Sequence, residues 1–255
     1  MPHHHTPIDL TGPSGSAELK GNHITVNGAD GNYTVSGNHT SHDAITLGNG
    51  SDVITITGNH DTIILGNGVD HVTVKGNHDT IVLGNGVGDT VTVSGNHDRV
   101  TVGSGTGDTV SLGPHSVHDR VSVGSGSYTI NTVPGDNHNT FDLDAGSSLL
   151  TLHSNHNFVF VDGGTDTITD SPSGKDFLKL DVGSLGGKID ITNFSAAHGV
   201  VDLDSALFAT SADAVLALKS DGSSGTELPF PGSLGFIDFQ GVPLGSLDAD
   251  NLFVI

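Results

Sequence analysis

With 255 residues, 37 glycines, 5% aromatic residues and no tryptophan, the chain lacks the side chains that fill an ordinary sandwich core. Its apolar residues are nonetheless too regularly spaced for a disordered chain. A formal net charge of −21 argues against nucleic acid and anionic lipid as partners and favours cations. There is no cysteine, which excludes disulfides and thiolate metal centres. No apolar run approaches the roughly 20 residues of a membrane helix, so no membrane insertion is expected.

The N-terminal stretch MPHHHTPIDLTGPSG has no apolar h-region and does not read as a Sec signal. Residues 1–18 are expected to form an arm, and the His3-His4-His5 tract within it is given no role. From Leu19 the chain becomes repetitive. GNGSDVITI (48–56), TGNHDTIIL (57–65), GNGVDHVTV (66–74), KGNHDTIVL (75–83), GNGVGDTVTV (84–93), SGNHDRVTV (94–102) and GSGTGDTVSL (103–112) are units of nine or ten residues. A short fixed period of this kind predicts a solenoid. Each unit ends in an apolar-polar-apolar run such as Ile54-Thr55-Ile56 or Val72-Thr73-Val74, the period-two pattern of a strand. The turn part of each is Gly, Asn and Asp, residues that accept positive φ or bond their own backbone.

Nine residues cannot hold a strand and its return, so two units are expected to make one coil with a strand on each side. The predicted fold is all-β: a right-handed parallel β-solenoid, β-roll-like, with about eight coils of 18–20 residues over 19–165. One histidine per coil marks the count: His23, His39, His60, His78, His97, His118, His138 and His156. Stacked coils would bring these imidazoles into one column, with Asp61, Asp79, Asp98 and Asp119 beside them, and the Gly-Asn-Gly turns onto the opposite edge. Two readings of the column stand. Asn can form an amide ladder with His stacked outside it. Alternatively, neighbouring imidazoles (His60, His78, His97, His118) share Zn2+, Cu2+ or Ni2+.

The units resemble the glycine-rich nonapeptide G-G-x-G-x-D-x-U-x of the RTX family over roughly residues 20–165. Gly48, Gly50, Asp52 and Ile54 match it, as do Gly66, Gly68, Asp70 and Val72. The first glycine is replaced by Leu47, Leu65 and Leu83, one extra residue precedes Asp89 and Asp108, and Asn59, Asn77 and Asn96 stand where the fourth position wants glycine. The resemblance implies a β-roll with Ca2+ between turns. Its candidate ligands are Asp52, Asp70, Asp89 and Asp108, with Asn49, Asn67, Asn85, Gly48, Gly50, Gly66 and Gly68 supplying further oxygens. The plainer reading is that Gly and Asn permit tight turns and Asp caps them.

Residues 166–255 are expected to form a small β-rich capping module with one short helix near SADAVLALKS (211–220). The stretches 189–208 and 237–255 resemble the tail of type I secreted RTX proteins, which implies an uncleaved secretion signal at Leu252, Phe253, Val254 and Ile255. No nucleophile elbow, zincin motif or phosphate loop appears, so no catalytic residue is assigned and the chain is not expected to be an enzyme. The expectation is an extracellular or cell-surface structural solenoid exported by type I machinery, calcium-stabilised and joining head to tail with copies of itself. A monomeric calcium-binding RTX module and a metal-sequestering protein that uses the histidine column are the alternatives.

Overall fold

The computed structural model describes residues 7–171, 175–180, 187–232 and 235–255. Strands alternate along the chain between two sheets. Among the described residues one sheet has 12 strands and the other 13, and strict alternation holds from Ile8–Leu10 to Val200–Leu203. Neighbours are parallel throughout that run, as a solenoid requires: Thr80–Leu83 lies between Thr62–Ile64 and Arg99–Val102, and Thr90–Ser94 between His71–Lys75 and Thr106–Leu112.

The alternation in sequence sets the core. Ile54 and Ile56, Val72 and Val74, and Val91 and Val93 point inward from one sheet. Ile63 and Leu65, Ile81 and Leu83, and Val100 and Val102 meet them from the other, and all are buried. Each such side chain contributes roughly 1.5–3 kcal/mol by leaving water. The registers pair equivalent residues, Ile54 with Val72 and Val72 with Val91. β-Branched side chains therefore stack on β-branched side chains, and the thin core needs few aromatics.

The stack extends beyond both expected boundaries. Ser14–Leu19 pairs in register with Asn32–Gly37, and Ile8–Leu10 with Thr25–Gly28, so residues 8–18 form a first coil and not a free arm. Tyr33 closes this end by donating its hydroxyl to the Gly12 carbonyl at 2.7 Å. At the other end, Lys188–Thr192 and Phe236–Gln240 extend one sheet, while Val200–Leu203 and Leu252–Val254 extend the other. The C-terminal region is β-rich, but its strands continue the two sheets, giving about ten coils where eight are expected. The expected helix spans Ser211–Ala217 and is capped by Thr210, whose hydroxyl accepts from the Asp213 amide at 3.2 Å. Thr226–Pro229 runs antiparallel to Phe236–Gln240, and Lys219–Ser220 antiparallel to Thr226–Pro229, which ends the parallel stack on that side.

Stacking brings turn backbones close together. A β-carbon on Gly58 would overlap the Thr40 carbonyl oxygen, and one on Gly76 would overlap that of Gly58. Neither clash involves a flexible side-chain end, so the coils would have to separate. Gly76→Ala is therefore expected to destabilise the protein by about 2 kcal/mol or more, whereas Thr55→Ala on the outer face stays within about 0.5 kcal/mol. Denaturant unfolding of the two variants measures the difference.

Candidate functional site: the stacked turns

In the central coils, from Asp43 to Asp98, both turns carry an aspartate immediately before the strand, and parallel stacking turns these residues into two ladders. In the first, the amides of Asp43, Asp61 and Asp79 donate to Oδ1 of Asp61, Asp79 and Asp98 at 2.9, 2.8 and 2.8 Å. It continues through Asp119, Asn139, Asn157 and Asp176. In the second, the amides of Tyr33, Asp52, Asp70 and Asp89 donate to Oδ1 of Asp52, Asp70, Asp89 and Asp108 at 2.8, 3.0, 2.8 and 2.9 Å. Each aspartate thus accepts from the coil before it.

Asparagines bond in the opposite direction. Oδ1 of Asn59 and Asn77 accepts from the amides of Asn77 and Asn96, both at 2.9 Å. Oδ1 of Asn49 and Asn67 accepts from those of Asn67 and Asn85 at 2.9 and 2.7 Å. Every coil interface in this region is stitched both ways, and the turn amides that the strands leave over are satisfied.

The aspartates are buried, and Oδ2 of Asp52, Asp61, Asp70, Asp79, Asp89 and Asp98 has no hydrogen-bond partner. An ionised carboxylate with one oxygen enclosed and unpaired is costly. Burial accordingly raises these groups above the usual carboxylate range, to about 6 for Asp61 and about 7 for Asp70 and Asp79. The amide donated to each carboxyl opposes the rise, and neighbouring ladder carboxyls add to it. Asp119 is pushed furthest, to about 8.

This geometry answers the calcium expectation. Calcium requires six to eight oxygens. The carbonyls of Gly48 and Gly66 accept from the amides of Gly66 and Gly84, both at 3.1 Å, and those of Asn49 and Asn67 accept from Gly31 and Gly50 at 2.8 and 2.9 Å. The Asn49, Asn67 and Asn85 side-chain oxygens hold the next coil. The enclosed Oδ2 of each aspartate is the side-chain oxygen left without a hydrogen-bond partner. Among the described residues no group of three or more His, Asp or Glu side chains is arranged to hold a metal ion. Calcium of the kind the resemblance implies would have to compete with these coil-to-coil bonds for its oxygens. Gly50 and Gly68 are required for close approach: a β-carbon on either would overlap the carbonyl oxygen of the coil before it.

The histidines stack on the outside. His23, His42, His60, His78, His97, His118, His138 and His156 form a continuous column with ring centroids 4.9–5.2 Å apart. The second member is His42, not the expected His39. His39 lies in a bulge, where the register with the next coil shifts between Asn38 and Thr40, and it leaves the column. The signal was spacing: 23, 42 and 60 keep intervals close to one coil, and 23, 39 and 60 do not. The inward turn of the aspartates, and the continuation of their ladder through Asn139 and Asn157, escape sequence reading because both depend on side-chain direction. The tail residues are split: Leu252 is buried in the edge strand, whereas Phe253 and Ile255 are exposed. The His3-His5 tract lies outside the described residues. Comparison with protein-family models, curated proteins and solved structures returns no match.

The ladder makes a prediction with an unusual sign. The aspartates bind protons more tightly folded than unfolded, where a carboxyl has its ordinary value near 3.8. Between about pH 4 and pH 7 the folded chain holds the extra protons, so this contribution is full below that window and is lost as pH rises through it. The protein is expected to melt at a higher temperature at pH 5 than at pH 8. Replacing Asp70 and Asp79 with Asn, which the chain itself uses at 139 and 157, should raise the pH 8 value and flatten the dependence. Melting curves in excess EDTA and in excess Ca2+ should coincide, and a rise of several degrees with Ca2+ would return calcium to the turns.

Proposed function

We propose that this chain is a non-enzymatic structural rod, a rigid solenoid of about 50 Å that serves as a matrix or surface element outside the cell. The observation that carries this reading is the use of the repeat's acidic groups. The turn aspartates, which could otherwise do acid-base chemistry, each use Oδ1 to hold one coil on the next. Such a surface offers repetition and stiffness and no assembled reaction centre.

Export by type I machinery is supported by the acidic-apolar ending and by the exposure of Phe253 and Ile255 at 50% and 56%. Because Leu252 is built into the sheet, deleting the last four residues would disturb the fold together with any signal. Phe253→Asp combined with Ile255→Asp is the cleaner change. In a host with a type I exporter it should abolish export while leaving the melting temperature within a few degrees, and undiminished export would place the signal elsewhere.

End-to-end joining has weaker support than the rod itself. At the C-terminal end the antiparallel strands Thr226–Pro229 and Lys219–Ser220 occupy the sheet edge, where a further parallel coil would have to displace them. Sedimentation velocity over a wide concentration range should therefore give one species of 25.9 kDa. Concentration-dependent growth into fibres would overturn the single rod in favour of a filament subunit.

A further inference from the structure

The histidine column performs a task that the turns themselves do not require. All eight residues adopt φ between 60° and 63°. That left-handed conformation is free for glycine and tolerated by asparagine, and a β-carbon makes it less favourable. Elsewhere the chain fills left-handed positions with Gly88, Gly107, Gly135 and Asn193, and also with His39 and His115. The column position is exposed in every coil, and its backbone amides are satisfied without the ring: those of His60 and His78 donate to the Asn77 and Asn96 carbonyls at 3.0 and 2.9 Å. Among the described residues none hydrogen-bonds a ring nitrogen of the column, the ring contacts of His71 and His198 lying outside it. Histidine tolerates the left-handed region as asparagine does, so the backbone permits the ring; what the backbone alone does not require is an exposed imidazole at this one position in eight successive coils.

We propose that the column is a transition-metal rail in which the imidazoles pair off along the stack, each ring in one pair, and each pair takes one Zn2+, Ni2+ or Cu2+ ion. Imidazole nitrogen suits these ions. Two nitrogens bound to one ion at 2.0–2.1 Å stand about 3–3.4 Å apart. The rings stand 4.9 Å apart and nearly parallel, at 4° for His60 and His78, and each nitrogen lone pair lies in its ring plane, so sharing an ion requires the two exposed rings to swing out of the stack until their planes converge on it. No hydrogen bond to a ring opposes the swing. Alternate rings lie about 10 Å apart and cannot share an ion. The sites are therefore two-ring sites completed by water, in keeping with the lack of any three-ligand cluster among the described residues. Asp61, Asp79 and Asp98 adjoin the column in sequence but turn their carboxyls inward onto the ladder, so they add no ligand. The net charge of −21 draws cations to the surface.

Two variants with equal histidine counts test this, both made with His3, His4 and His5 changed to Ser. In the first, His42, His78, His118 and His156 become Asn, so the remaining four rings are isolated. In the second, His23, His118, His138 and His156 become Asn, so His42, His60, His78 and His97 stay contiguous. Asn accepts the left-handed turn, and circular dichroism melting checks that both fold. In equilibrium dialysis against Ni2+ at neutral pH, the parent should bind about four ions and the contiguous variant about two with unchanged affinity. The isolated-ring variant should bind at least about tenfold more weakly. Equal binding by the two variants, or a parent that binds no more than a protein with all eight positions changed to Asn, would overturn the rail.

Discussion

In a parallel solenoid every residue of the repeat meets its own copy one strand spacing away, and the rest of the structure follows from that constraint. Two like unit charges about 4.8 Å apart repel by roughly 1 kcal/mol in water and by several times that in a less polar setting. A repeating charge is therefore a repeating cost, whereas a repeating hydrogen-bonding group or β-branched side chain gains at every coil. Threonine, valine, isoleucine and asparagine prosper under this rule. Aspartate survives by donating nothing, accepting one amide and holding a proton more tightly than usual.

The same constraint changes the meaning of the net charge. The value of −21 counts each ladder aspartate as ionised. With Asp70 and Asp79 raised to about 7 and Asp119 to about 8, part of that charge is absent at neutral pH. These carboxyls are buried, so the charge is reduced between the coils and not on the outer faces.

The period, the two strands per coil and the inward Ile, Val and Leu pairs were legible because all three are expressed in spacing. His42 was hidden by the Asn-His pattern, which favoured His39, and only the bulge at His39 explains why the pattern misleads. The first coil was concealed by Gly and Pro at residues 12 and 13, which read as an arm until Ser14–Leu19 is seen paired with the next coil. At the far end the units lose their turn signature while their strands stay in the same two sheets, so composition marks a boundary that the backbone does not have. The direction of each aspartate side chain carries no periodic signal at all. Inward and outward carboxyls give the same sequence, and this is why the hydrogen-bonded ladder could not be read before the coordinates.

The ladder also contains its own control. Asn139 and Asn157 take the aspartate position and make the same bond, each accepting an amide from the coil before at 2.8 and 3.0 Å. An acceptor is required there and a charge is not. At the neighbouring position, one residue earlier, Asn193-like or glycine-like backbone would suffice, yet the ring appears in all eight coils from His23 to His156. The adjacent positions therefore obey different demands: the inner one tolerates exchange of aspartate and asparagine because only coil-to-coil bonding acts on it, and the outer one keeps its imidazole although no bond within the chain needs it. A structural rod accounts for the first position. The second is the position that the proposed metal rail would explain.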